Sequence, residues 1–155
     1  MFNINSTEVR RFFAQVWQLR SNGQLDALQK KALAIILEHP EYQHFLDNID
    51  AYLDTQWLPE NGETNPFLHM SLHLSLQEQC VINQPPGIAD IAQQLAQKHD
   101  GIHEAEHVMM DALVEMIWQA QRHKTGFDVN LYVTQLRQTL NLSEEEQQRV
   151  NPHEV

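Results

Sequence analysis

The sequence predicts an all-α fold, a single-domain helical bundle of five to seven helices. Apolar residues recur at spacings of three and four along most of the chain, the signature of one buried helical face. Gly, Pro and Asn-Gly breaks separate these stretches, and no stretch shows the period-two alternation of a strand. The length of 155 residues suits one domain. A chain of this size hides on the order of 70% of its unfolded surface, enough for a core without staples.

The elements follow in order. Asn5 or Ser6 is placed to cap a first helix running to about Arg20, with Phe12, Phe13, Val16, Trp17 and Leu19 on its apolar face. Asn22-Gly23 ends it. A second helix is expected over 24–39, turning Leu25, Leu28, Ala32, Ile35, Ile36 and Leu37 inward. Pro40 closes it and opens a third helical segment with Tyr42, Phe45, Leu46, Ile49 and Tyr52 inward. Residues 54–64, DTQWLPENGET, read as a loop. Asn65-Pro66 pairs an N-cap with proline at the first helical position and starts a helix to about Ile82. Gln84-Pro85-Pro86-Gly87 is a turn before a helix over 88–98. Asp100-Gly101 precedes a long helix to about Arg122, and Thr125-Gly126 precedes a last one over 128–140. Residues 1–140 form the expected helical domain, and 141–155 a polar tail expected to be frayed or disordered.

Composition narrows the function. Ten basic against 21 acidic residues give a net charge of −11, which repels phosphate backbones and argues against nucleic acid. The single cysteine, Cys80, excludes an internal disulfide framework and suits a reducing compartment. MFNINSTEVRR lacks the apolar core of a secretion signal, and no run of about 18 apolar residues suggests a membrane span. The expectation is a soluble, cytoplasmic chain without nucleic-acid or membrane partners, leaving a protein partner or homodimer open.

Nine histidines stand out. His69 and His73 form one H-x3-H pair, and His103 and His107 another. Residues four apart on a helix lie one above the other, so both imidazoles of a pair can reach one metal ion at about 2.0–2.1 Å. On the first His helix, Ser71, Ser75 and Glu78 mark the polar face. His69 and His73 fall opposite, with Leu72, Leu76 and Cys80, and so are expected to face the core. On the second, Glu104, Asp111, Glu115 and Arg122 mark the exposed stripe, and Met109, Leu113, Ile117 and Ala120 the buried one. His103 and His107 lie at the boundary, towards Val114 and Trp118, while Glu106 falls near the buried stripe. Burying such groups costs about 1–3 kcal/mol each unless they gain partners. One cation shared by His69, His73, His103, His107 and Glu106 would provide them. Zinc and iron are the expected metals, with nickel as a third candidate. The remaining histidines, 39, 44, 99, 123 and 153, lack such pairing and read as surface or capping residues.

Alternatives share these residues. A metal-free scaffold would join Glu106 and the histidines in a polar network. HEAEH also satisfies H-E-x-x-H, in which two histidines hold zinc and Glu104 serves as general base, but no strand is expected to hold a peptide. Glu104-x-x-His107 matches half of a carboxylate-bridged di-iron site, whose second half is missing. If the chain is a metal-dependent hydrolase or transferase, Glu104 and Glu106 are the catalytic candidates. HMSLH and HEAEH are 34 residues apart, but their flanks differ, so no repeat is assigned. Cys80 reads as a small buried side chain.

The runs EHPEYQHFLDN, GETNPFLHMSLHLSLQEQ, NQPPGI and HEAEHVMMDALVEMIWQAQR resemble a bacterial family of unknown function, domain family 1841, from about Arg10 to Tyr132. Matching positions include Asn65, Pro66, His69, His73, Glu78, Gln79, Ala105, Glu106, His107, Trp118, Gln121 and Arg122. Asp111 stands where the family is expected to carry Glu, and His44 falls one place late. The resemblance implies a small helical bacterial protein and supplies no activity, substrate or partner. More distantly, the arrangement is similar to DinB-like bundles with a three-histidine metal site, some of them thiol S-transferases.

Overall fold

The computed structural model describes residues 7–58 and 61–150, with side chains to residue 141 in the last helix. Among these residues the chain is all-α, with no strand and no helix long and apolar enough to cross a membrane. The expected caps Asn5 and Ser6, the loop residue Pro59 and the end of the tail lie outside the described residues. The chain divides into two compact units, Met1–Leu74 and Ser75–Val155.

In the first unit, α1 (Thr7–Gln18) packs against α2 (Ala27–Leu37) and α3 (Gln43–Asp47). Asp26 and Gln29 close a capping box at the start of α2, each side chain meeting the other's backbone N–H. Leu28 and Leu37, expected inward, are exposed, whereas Ala32, Ile35 and Ile36 are buried. The true start at Ala27, later than Gln24, leaves α2 only three turns to bury one narrow face. The third segment is not one helix. Pro40–Tyr42 and Ile49–Ala51 are 3-10 turns flanking the short α3. Phe13, Val16, Ile35, Ile36, Leu46, Phe67 and Met70 form the core of this unit.

Arg10 is only 2% exposed despite its charge. Positions 10, 13, 14 and 17 share one helical face, so the apolar stripe of α1 carries the guanidinium inward. It donates to the Tyr52 carbonyl and lies over the rings of Trp57 and Phe67, 5.0 and 5.4 Å from their centroids. Burial pulls its pKa below the ordinary value, and Asp54 opposes that shift.

α4 (Pro66–Ile82) begins as expected, with Asn65 Oδ1 accepting from the N–H groups of Phe67 and Leu68. The boundary between the units falls within this helix. In the second unit, α5 (Ile88–Lys98), α6 (Ile102–His123) and α7 (Val129–Val150) pack on one another. Asn83 Oδ1 accepts from Gly87 and Ala89 N–H groups, so a residue upstream of the Pro-Pro turn caps α5. Gly87 sits at φ +94°, where any other residue would be strained. α7 reaches Val150, ten residues beyond the expected end at Leu140; Glu and Gln are good helix formers, which favours continuation. Buried Tyr132 donates to Gln79 Oε1 at 2.8 Å, and Gln79 Nε2 donates to Ser75 Oγ at 3.1 Å.

Replacing Arg10 with Met should lower stability in chemical denaturation by about 2 kcal/mol, the cost of a buried carbonyl losing its donor. Arg10→Lys should recover only part, because an ammonium lacks the planar stack.

Burial holds the Tyr132 phenol well above its ordinary value of 10.0. The folded state therefore keeps a proton that the unfolded state loses, so this contribution is full below about pH 10 and falls as pH rises. Tyr132→Phe should cost about 1 kcal/mol at neutral pH. It should also flatten the alkaline decline in stability that the wild type shows.

Candidate metal centre

In the first unit three imidazoles gather. His69 and His73 are one turn apart on α4, with ring centroids 4.9 Å apart at 77°. His39, between α2 and the Pro40 turn, places its ring 4.9 Å from His69 and 5.1 Å from His73. His73 is fully buried, His39 is buried and His69 is half-buried. The inward direction expected for His73 is therefore observed.

His39 is held on two sides. Its Nδ1 lies 2.8 Å from the Ile35 carbonyl oxygen. A carbonyl only accepts, so Nδ1 carries the proton and the ring lone pair sits on Nε2. The Tyr42 ring stacks on it almost parallel, at 5.2 Å and 5°. Burial, with help from Glu41, raises the Tyr42 pKa and keeps that phenol neutral.

The second unit holds the other pair. His103 and His107 on α6 have centroids 4.4 Å apart at 70°. Both are half-buried, at the boundary the sequence assigned them. Beyond them Val114 and Trp118 are exposed, and the Arg122 guanidinium covers the Trp118 ring at 5.0 Å. Glu104 is exposed and reaches His107 Nδ1 at 3.5 Å. Glu106 is 3% exposed and accepts from Gln77 Nε2 at 3.2 Å. The two acidic residues thus divide as their helical positions predict, Glu104 outward and Glu106 inward. An open polar depression beside the start of α6 is lined by Lys98, His99, Asp100, His103 and Glu104.

Several expectations change. His39 is not a surface residue. Helical spacing within one element does not reveal it, because it comes from a separate element, although its place directly before Pro40 gives it a restricted backbone. His44 and His123 are exposed, and His99 is half-buried at the end of α5; His153 lies outside the described residues. Ser75, assigned to the polar face of α4, is buried because Gln79 supplies its hydrogen bond. Cys80 is half-buried rather than buried. Burial, reinforced by Glu106, raises its pKa, the reverse of what a thiolate nucleophile needs. No strand among the described residues offers the edge that an H-E-x-x-H peptidase uses to hold its substrate.

The family resemblance extends further than the sequence motifs suggest. Residues 5–138 match the sequence model of the family described as Domain of unknown function (DUF1841). Comparison with curated proteins and with solved structures gave no match. The match spans all of α1 to α6 and part of α7, so it takes in every histidine of both clusters. The chain belongs to the DUF1841 family.

Proposed function

We propose that the protein binds one divalent metal ion through imidazoles drawn from its His-bearing helices, with His69, His73, His103, His107 and Glu106 as the candidate donors. The observation that carries this reading is the close gathering of imidazoles within each unit. Centroid spacings of 4.4–5.1 Å bring the imidazoles within each unit close enough for neighbouring rings to share one ion. Nitrogen-dominated donors favour zinc, iron or nickel over magnesium or calcium, which prefer oxygen.

The metal would decide the chemistry. Four imidazoles on zinc fill a tetrahedral shell, and the ion then ties helices together. Iron or nickel, with a larger shell, keeps open positions at which water or a thiol could be activated, the chemistry of a hydrolase or transferase. Glu104, exposed beside His107, is placed to act as a base at such a position, and Glu106 as a ligand or as a partner to one. The single cysteine fits a reducing, cytoplasmic setting. The acidic balance fits neither nucleic acid nor an anionic membrane.

A metal-free scaffold is the second reading, and the Gln77–Glu106 hydrogen bond favours it, because it gives the buried carboxylate a protein partner. Elemental analysis of protein purified without a His tag separates the two. About one zinc, iron or nickel per chain is expected in wild type, and less than about a tenth of that in a folded His73→Ala, His107→Ala double variant. Chelation should lower the melting temperature of wild type and leave the double variant unchanged. A folded wild type that takes up none of these metals on reconstitution leaves the scaffold reading.

A further inference from the structure

We infer that His39 is a ligand of this metal, bonding through Nε2, and that His69 stands beside the ion without ligating it. The inference rests on the metal-binding reading above and names a donor that helical spacing alone does not reveal.

Three imidazoles compete for the ligand positions of the first unit, and they differ in how firmly each ring is set. His39 donates Nδ1–H to the Ile35 carbonyl at 2.8 Å, which fixes the tautomer and points the lone pair along Nε2. Metal-binding histidines are held in this way, their second nitrogen donating to a carbonyl or carboxylate that orients the ring and raises its basicity. Tyr42 stacks flat against the same ring, and Pro40 restricts the His39 backbone. The ring is therefore oriented before any ion arrives, so little freedom remains to be lost on binding.

His73 shares the burial of His39, at 0% against 5% exposed. His69 is half-buried and meets both other rings edge-on, at 77° to each. Among the described residues of the first unit, His39 and His73 belong to a group whose ligand atoms lie close enough together to hold an ion, and His69 does not. His39 thus replaces His69 as the second donor of the first unit, and His69 becomes an imidazole lining the site.

Cobalt(II) titration of the full chain, followed by its visible absorption, tests this with three proteins. His39→Gln should weaken cobalt binding about 100-fold or more relative to wild type, and His69→Gln by less than about 3-fold, since loss of a ligand exceeds the 10–100-fold typical of an outer partner. If the wild type binds cobalt and His39→Gln binds it equally well, or if His69→Gln is the variant that loses it, the assignment of His39 is overturned while the metal reading stands. If the wild type binds no metal, both fall. Should His39→Gln lose its helical circular dichroism, wild-type protein carrying 15N-labelled histidine decides the matter on titration with zinc. The His39 Nε2 resonance should move while Nδ1 stays protonated, and an unmoved Nε2 overturns the proposal.

Discussion

A polar side chain enters an apolar core only if something replaces the water it gives up, and this constraint shapes both units. In the first, Arg10 finds the Tyr52 carbonyl and two aromatic faces. In the second, Gln79 serves two neighbours at once, donating its amide N–H to Ser75 and accepting the Tyr132 hydroxyl on its carbonyl oxygen. Gln77, two positions earlier and so on nearly the opposite side of α4, donates to Glu106 on α6. These glutamines tie the end of α4 to α6 on one side and α7 on the other. Buried networks of this kind specify one packing arrangement more than they add stability.

The histidines obey the same constraint with different chemistry. A glutamine amide can satisfy a neighbour but is a poor ligand for a soft or borderline cation, whereas an imidazole does both through its two nitrogens. A chain with a net charge of −11 draws cations of every kind towards it. In the proposed metal-binding reading, selection among them would come from the donors, because nitrogen donors pass over the abundant hard ions. The carboxylates then set the local field, with Glu104 left at the solvent edge and Glu106 taken inside.

Much of this was legible in the sequence because it follows from periodicity and caps. The α5 bounds, the Asn65-Pro66 start of α4, the inward His73, the boundary positions of His103 and His107 and the buried Glu106 all follow from counting residues around a helix. Arg10 could have been placed by the same count, since it shares a face with Phe13, Ala14 and Trp17; its charge alone argued otherwise. Other features depend on tertiary packing. The exposure of Leu28 and Leu37 reflects how few turns α2 has to offer its neighbours, and the break-up of the segment after Pro40 replaces one expected helix with two tight turns around α3. His39 illustrates the limit most clearly. Its meeting with His69 and His73 joins elements some 30 residues apart in sequence, and no spacing rule within a helix encodes such a meeting.

The three tryptophans are unequally shared. Trp17 is 8% exposed, its indole N–H bonded to Asp47 at 2.7 Å, and Trp57 is half-buried beneath the Arg10 guanidinium. Both belong to the first unit, while Trp118 in the second is already 47% open to solvent. Indole emission moves to longer wavelength when water reaches the ring, so loss of the first unit carries a strong red shift and loss of the second hardly any. Optically, the chain reports mainly on the unit that houses His39, His69 and His73.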